Sequence, residues 1–157
     1  AASRPEREAA AKAALAGALE DWTQGEIDAE LARHYAPYWL GFDTHTHRTF
    51  AALVREVSET EPAVRIELDL ARDATQACFA MPDHPGIFAR LAGALALAGA
   101  NVVDARTYTT TDGIATAAFW IQDAEGKPYE KARLTRLRSA VTRTLRGDGS
   151  GTTGRSR

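Results

Sequence analysis

Residues 81–87 read Met-Pro-Asp-His-Pro-Gly-Ile and contain the residue types best suited to binding a small anion. Asp83 is expected to accept backbone N–H bonds as an N-cap, and Pro85 fits a first helical turn because its missing N–H costs nothing there. A helix start offers unpaired N–H groups and partial positive charge, and Gly86 lets a carboxylate approach the backbone closely. The stretch therefore predicts a site for an amino-acid carboxylate.

Two further side chains complete this candidate site. Asp83 can meet the ammonium group of an amino acid, and Asn101, at the start of the adjacent predicted strand, offers a donor and an acceptor to a side-chain amide. A purely structural interpretation has equal weight, in which Asp83 only caps, Gly86 only packs and Asn101 only tolerates the turn after Gly99. The residues alone leave both interpretations open.

Histidines give no comparable prediction of catalysis or metal binding. His45 and His47 follow Asp43, but residues two apart on a helix point in different directions, and no second group of ligands is present. His84 has no partner nucleophile and is expected at the surface of the first helical turn. We therefore assign no catalytic residue and no metal site.

Composition is typical of a soluble globular protein of about one domain, with 157 residues, 45% hydrophobic and 25% charged. No apolar run approaches the roughly 18 residues of a membrane helix, so we expect a cytoplasmic protein with no membrane partner. Cys78 is the only cysteine, which excludes an intrachain disulfide, and it is expected to be buried without chemistry. The start at Ala1 suggests a piece of a longer protein.

Charge is distributed unevenly along the chain. Residues 1–130 carry 11 basic and 20 acidic side chains, whereas residues 131–157 carry 8 basic and 1 acidic. The net charge of −2 gives no electrostatic reason to expect nucleic acid. The basic face of the last predicted helix is more simply a solvated surface than an RNA contact, because no RNP pattern accompanies it.

The elements that position these residues begin with helices. The alanine-rich stretch 6–19 has strong helix propensity, and Thr23 with Glu26 matches a capping box for a second helix that ends at Pro37. Asp43 or Thr44 is expected to cap a third helix. Residues 38–42 are too aromatic for an exposed loop, so they need a surface that covers them.

After residue 62 the period becomes that of strands. Residues 64–71 alternate and pair with 75–81 as an antiparallel hairpin, and a helix then runs from Asp83 to the left-handed residue Gly99. Strands at 101–110 and 114–122 follow, joined by a type I′ turn with positive φ at Asp112 and Gly113. A last helix covers about residues 130–145.

The faces of the second hairpin are also predicted from alternation. Val103 and Ala105 are expected in the core with Ala117, Phe119 and Ile121. The opposite face lacks helices of its own, so we expect a second domain or a second copy to cover it, while the sequence leaves open whether the helices of residues 1–60 dock on the sheet or stay loose. The residues of this face are Asp104, Arg106, Tyr108, Thr116 and Trp120.

The order from residue 64 is strand, strand, helix, strand, strand, helix. A ferredoxin-like sandwich needs a strand after its second helix, but no strand pattern follows Leu145, so the 64–71 strand is predicted to fill the vacant edge. The predicted fold class is α+β, a permuted ββαββα ferredoxin-like sandwich. It has an antiparallel four-stranded sheet with two helices on one face, preceded by an α-helical segment.

Residues 81–88, followed after one helix by 99–103, resemble the ACT domain, a regulatory module that binds amino acids or related metabolites. The chain from about Trp22 to Leu145 resembles more specifically the bifunctional PII uridylyltransferase/uridylyl-removing enzyme family, through residues 38–43, 93–106 and 109–113. In that family one domain adds UMP to the PII signal protein, an HD-type hydrolase domain removes it, and two C-terminal ACT domains are associated with glutamine sensing.

The resemblance implies three parts: residues 1–61, the end of the hydrolase region and a linker; 62–146, the first ACT domain; and 147–157, a flexible tail. It implies a regulatory glutamine-sensing region, and the expected ligand-binding residues are Asp83, His84, Pro85, Gly86, Ile87, Asn101 and Val102. The expected partners are glutamine, the PII protein through the parent enzyme, and a second ACT domain or a second copy in a homodimer.

Catalytic motifs of that family are missing from this sequence. No glycine-serine segment is followed by paired aspartates, and no hydrolase metal motif is present, so we expect this chain to be non-catalytic and without a cofactor. Mg²⁺ is expected only for the parent enzyme. Two alternatives stay open, a protein-interaction or dimerisation ACT module without ligand and the ACT module of another metabolic enzyme.

Overall fold

The computed structural model describes residues 1–155, and the side chains of residues 1–147. Within this range a single 3-10 turn, Leu70–Arg72, joins the first two strands. The helices are α1 (Arg4–Ala18), α2 (Gln24–Arg33), α3 (Ala36–Gly41), α4 (Thr44–Val54), α5 (Ile87–Leu97) and α6 (Lys131–Arg155). The strands are β1 (Ala63–Asp69), β2 (Ala74–Pro82), β3 (Asn101–Thr109) and β4 (Ile114–Gln122).

The four strands form one antiparallel sheet in the order β1-β2-β4-β3. Ala63 pairs with Ala80, which places β1 on the outer side of β2. The permuted arrangement predicted from the strand order is confirmed, with β1 at the edge that a trailing strand would otherwise occupy. The four-stranded antiparallel sheet and the α-helical segment before it are confirmed as well.

One face of the sheet packs against α5 and α6. Phe79 and Phe119 lie at its centre with their ring centroids 5.9 Å apart. The helices contribute Ile87, Leu91, Ala94, Leu95, Leu137, Val141 and Leu145, all buried. This is the two-helix layer that the sequence predicts, and its side chains come from every second residue of β2 and β4.

The other face is covered by α1, α3 and α4, so the prediction that a second domain or copy covers it is wrong. Trp120, expected at an interface between domains, is 3% exposed beneath the chain's own helices. The apolar residues that the helices place there are Leu15, Leu19, Tyr38, Trp39, Phe42, Phe50, Leu53 and Val54. The aromatic stretch 38–42 thus finds its surface within the same chain.

Residues 4–54, called the helical segment below, are fixed by specific capping and stacking contacts. The Thr23 hydroxyl accepts from the Glu26 N–H while the Glu26 carboxylate accepts from the Thr23 N–H, so the predicted capping box is confirmed. Asp43 caps α4 by accepting from the Thr46 N–H at 2.9 Å. His34 stacks on Tyr38 with a ring separation of 3.6 Å.

Several predicted boundaries are wrong for local reasons. Helix α2 ends at Arg33, and Pro37 lies in the first turn of α3, where its missing N–H has no cost. A β-bulge between Val102 and Asp104 turns Val103 out of the core, and it is 53% exposed. Helix α6 continues past the predicted end at Leu145 to Arg155. The last two residues of the expected tail lie outside the described residues.

Across the described range, none of the helices combines the length and the apolar character that crossing a bilayer requires.

Candidate functional site

The turn at residues 83–86 joins the end of β2 to the start of α5. Gly86 is the residue before the helix and adopts a left-handed conformation with φ +83°, which favours glycine. Its carbonyl accepts the first helical bond, from the Arg90 N–H at 3.0 Å, and the Ile87 N–H donates to the His84 carbonyl at 3.2 Å. The N-cap is therefore three residues later than the sequence suggests, at Gly86 rather than Asp83, and Pro85 precedes the helix.

Asp83 is not the N-cap, contrary to the sequence prediction, because both of its polar groups bond to the β3–β4 hairpin instead. Its N–H donates to the Gly113 carbonyl at 2.9 Å, and its Oδ2 accepts from the Thr109 hydroxyl at 3.2 Å. The side chain is exposed. These bonds fix the carboxylate at the rim of the turn, with Oδ1 directed to no partner among the described residues.

The first turn of α5 presents backbone donors on an open surface. Among the described residues, no acceptor bonds the N–H groups of Phe88 and Ala89. A Cβ on Gly86 would meet no atom within 4 Å, so the space beside this residue is open. An unobstructed helix start of this kind can accept a carboxylate by hydrogen bonding and by the favourable end of the helix dipole.

The other predicted residues of this turn divide into exposed and buried ones. His84 is exposed, and its Nδ1 lies 3.1 Å from the Pro85 carbonyl oxygen. The Ile87 side chain is 7% exposed and packs in the core under α5. The Ile87 N–H already donates to the His84 carbonyl, so Ile87 offers a ligand neither its side chain nor its backbone donor.

Asn101 and Val102 lie far from the turn. They begin β3, whereas Thr109, which bonds Asp83, ends it. A nine-residue strand spans roughly 26 Å, so the structure places the two halves of the predicted site at opposite ends of the sheet. The Asn101 amide donates to the Asp123 carbonyl at 3.2 Å, which holds it at the far end.

A small cavity of about 160 Å³ adjoins the turn on the side away from β3. Its lining includes Arg90, which donates to the Leu145 carbonyl at 2.7 Å, and Arg146, which pairs with Glu61 at 2.6 Å. The sequence argument missed these charged groups. Arg90 could have been predicted from the sequence, because Arg90 lies one helical turn after Gly86. Glu61 and Arg146 could not, because only the tertiary fold brings them to the turn.

The loop between β3 and β4 differs from the predicted type I′ turn. Gly113 has φ +85°, but Asp112 does not have positive φ. The Gly113 N–H donates to the Thr110 carbonyl at 3.1 Å, and the Thr110 N–H donates to the Ile114 carbonyl at 2.8 Å, which closes a four-residue loop. The Thr110 hydroxyl bonds the Asp112 carboxylate and, with the charge of Arg33, holds the pKa of Asp112 below its usual range.

The histidines considered for metal binding point apart. His45 Nε2 lies 2.7 Å from Glu67, and His47 Nε2 lies 3.1 Å from the Tyr38 carbonyl. Over the described part of the chain, no group of three or more His, Cys, Asp or Glu side chains converges as a metal site would need. Cys78 is buried, and burial raises the pKa of its thiol well above the usual value.

Comparison with known proteins matches the sequence profile of the ACT domain to residues 79–133. The chain is 60% identical over 142 residues to a bifunctional uridylyltransferase/uridylyl-removing enzyme of Ruegeria pomeroyi and 58% identical over 146 residues to the enzyme of that name in Cereibacter sphaeroides. The enzyme of that name in Rhodospirillum rubrum is 40% identical over 149 residues.

These alignments cover 88% to 93% of the chain but only 16% of each relative. The chain thus corresponds to a small part of enzymes that carry the two activities in their name. The ACT profile begins within β2, contains the turn at residues 83–86 and ends in the first turn of α6. The chain is therefore similar, over most of its length, to one segment of the bifunctional uridylyltransferase/uridylyl-removing enzymes, and residues 79–133 of that segment match the ACT domain.

Proposed function

We propose that this chain is the amino-acid-sensing region of an enzyme that adds uridylyl groups to the PII protein and removes them. The proposed ligand is L-glutamine, bound through its carboxylate at the turn of residues 83–86. Binding would regulate the two activities only if the ligand has different affinities for two arrangements of the parent enzyme. Support comes from the ACT domain, from the names of the relatives and from the geometry of the turn.

The observation that carries the proposal is the open helix start at Gly86. Among the described residues no acceptor bonds the amides of Phe88 and Ala89, the space beside Gly86 is open, and Asp83 lies in the turn that leads to this helix start. An amino acid is a zwitterion, so a donor-rich surface next to a carboxylate complements both of its charges. A turn that served only to connect β2 with α5 would not need this combination.

The separation of Asp83 from Asn101 suggests that a complete site needs two ACT domains. Strand β3 is an edge of the sheet, and its outward residues Val102 and Val103 are 41% and 53% exposed. Antiparallel pairing of two β3 edges would bring the Asn101 end of one domain to the Thr109 end of the other. Asn101 and Val102 of one domain would then face Asp83 of its neighbour.

The same exposed edge favours the second candidate function, a protein-interaction module without ligand. An unpaired strand with exposed valines is a template for pairing with another chain. In this alternative the turn is a connection and glutamine has no effect on pairing.

Calorimetric titration of the chain with L-glutamine separates the two functions. We expect saturable heat with the wild-type chain and none with Gly86→Asp, because the added carboxylate would repel that of the ligand. Gly86→Ala is the matched control, since it has the same unfavourable φ without the charge and its Cβ meets no atom within 4 Å. Absence of heat at millimolar L-glutamine would contradict sensing by this chain alone and would favour either the interaction module or a site that requires a second ACT domain.

A further inference from the structure

The loop of residues 110–113, called the hairpin loop below, is bonded to the helical segment. The Thr111 N–H donates to the Arg33 carbonyl at 2.8 Å, and an Arg33 guanidinium nitrogen lies 3.0 Å from Asp112 Oδ2. Arg33 is the last residue of α2. The end of that helix therefore holds the hairpin loop through both its backbone and its side chain.

The hairpin loop is also bonded to the turn at residues 83–86. Gly113 accepts from the Asp83 N–H at 2.9 Å, and Thr109, the residue before the loop, donates its hydroxyl to Asp83 Oδ2 at 3.2 Å. These two bonds replace the helix cap that the sequence predicts for Asp83. The position of this carboxylate therefore depends on the position of the loop.

Internal bonds make the hairpin loop a rigid unit. Thr110 is 3% exposed, and its hydroxyl donates to Asp112 Oδ1 at 2.6 Å while accepting from the Ile114 N–H at 2.9 Å. A displacement of Asp112 is thus shared with Thr110 and with the strand that follows. A loop bonded in this way transmits a shift from one side to the other rather than absorbing it.

Arg33 is itself positioned by buried groups of the helical segment. Its Nε lies 3.5 Å from Glu30 Oε1, and the other oxygen of Glu30 lies 2.6 Å from His34 Nε2. Glu30 is 2% exposed, and His34 stacks on Tyr38 in the core between the helices and the sheet. The contacts from Asp83 to this core are therefore continuous.

We propose that Arg33 is a positioning residue for Asp83, acting through the hairpin loop, so that the helical segment and the turn at residues 83–86 are energetically coupled. The identity of the ligand in this inference rests on the proposed function. The coupling between Arg33 and Asp83 does not require a ligand. Because such coupling is reciprocal, an event at either end must change the other end equally. A ligand at the turn would then bias the helical segment, which precedes the ACT domain in the chain.

Residue-resolved amide hydrogen exchange of the intact chain tests the coupling without ligand. The Asp83 N–H reports on the bond to Gly113, and Phe119 in the central strand reports on global opening. We expect Arg33→Gln to accelerate exchange at Asp83 roughly three- to tenfold relative to Phe119. The control Arg55→Gln removes a different ion pair to the helical segment, that with Glu26 at 2.8 Å, and should leave the ratio unchanged.

The reverse experiment uses Asp83→Asn and follows the Thr111 N–H, which donates to Arg33. Faster exchange at Thr111, relative to Phe119, supports the coupling. Exchange at Asp83 that is unchanged in Arg33→Gln, or accelerated only as much as Phe119, overturns it. Both exchange experiments are done without glutamine. A titration that shows no glutamine binding would therefore count against the proposed function, whereas the exchange rates alone test the coupling.

Discussion

The hydroxyl group of Tyr108 occupies the space in which a Cβ atom on Gly41 would lie. Gly41 ends α3, and Tyr108 is on β3, so this contact joins the helical segment to the edge strand of the sheet. The Arg106 guanidinium donates to the Gly41 carbonyl from the same strand. Backbone and aromatic ring approach so closely that only glycine fits at position 41.

Gly41→Ala is therefore expected to destabilise the chain by about 1–3 kcal/mol, since the new methyl group must displace the Tyr108 ring. Urea unfolding measures the change. Gly17→Ala is the matched control, because Gly17 is an exposed helical residue whose Cβ would meet nothing within 4 Å, and it should stabilise by about 0.5–1 kcal/mol. Equal stability of the Gly41→Ala and wild-type chains would show that the helical segment does not pack on β3 as described.

A buried side-chain hydrogen bond also fixes the helical segment to the sheet. The Gln76 amide of β2 donates to the Thr46 hydroxyl of α4 at 2.9 Å, and both residues are almost fully buried. Thr46→Val keeps the shape but leaves the amide without this acceptor, so we expect a loss of about 1–3 kcal/mol in unfolding free energy. The double variant Thr46→Val with Gln76→Leu should recover part of that loss; a strictly additive double variant would contradict the bond.

Stability is expected to fall as the pH is lowered below about 6.5. Burial lowers the pKa of His47, so the unfolded chain binds a proton at higher pH than the folded chain does. The contribution of neutral His47 to the free energy of unfolding is fully present above the pKa that this histidine has in the unfolded chain. It is lost as the pH falls towards the lower pKa of His47 in the folded chain. Urea midpoints between pH 7.5 and 5 should show the fall, and His47→Gln should reduce it. His45→Gln, at an exposed position, should retain it.

Complementation between variants tests the completion of the site by two ACT domains. Asp83→Asn and Asn101→Ala should each weaken glutamine binding, because each would remove one side of a shared site. Mixed in equal amounts and allowed to exchange subunits, they should regain about a quarter of the wild-type sites, since half of the pairs are mixed and each mixed pair has one intact site. If glutamine binding does not recover on mixing, Asp83 and Asn101 do not form a site shared between two domains.

Much of the fold follows from local patterns. The strand alternation, the glycine at position 99 with φ +89° and the absence of a strand pattern in the sequence after Leu145 are sufficient to predict the permuted sheet. The helical cover of the second face was not predicted, although β2 gives a signal for it. Ala74, Cys78 and Ala80 alternate with Ala77, Phe79 and Met81, so both faces of this strand are apolar, as in a strand buried on both sides.

The candidate site was less predictable, because its geometry depends on contacts distant in sequence. Nothing near Asp83 indicates that Thr109 and Gly113 would compete successfully for its polar groups. Asp83 and Asn101 are far apart because they lie at opposite ends of β3. Alternation predicts which face of a strand a residue occupies, but it does not predict which end of the strand lies beside Asp83. Val103 was misplaced because it is the extra residue of the bulge between Val102 and Asp104, whereas Ala105 and Tyr108 beyond the bulge lie on the faces that alternation predicts.

The central claim is that an amino-acid carboxylate binds at the helix start after Gly86. Titration of ¹⁵N-labelled chain with L-glutamine, followed by amide NMR shifts, tests it directly. We predict saturable shifts of the Gly86, Phe88 and Ala89 amides that are larger than any indirect change at Gly17 or Gly25 in the helical segment. Saturable shifts located elsewhere, with these three amides unmoved, would contradict the claim.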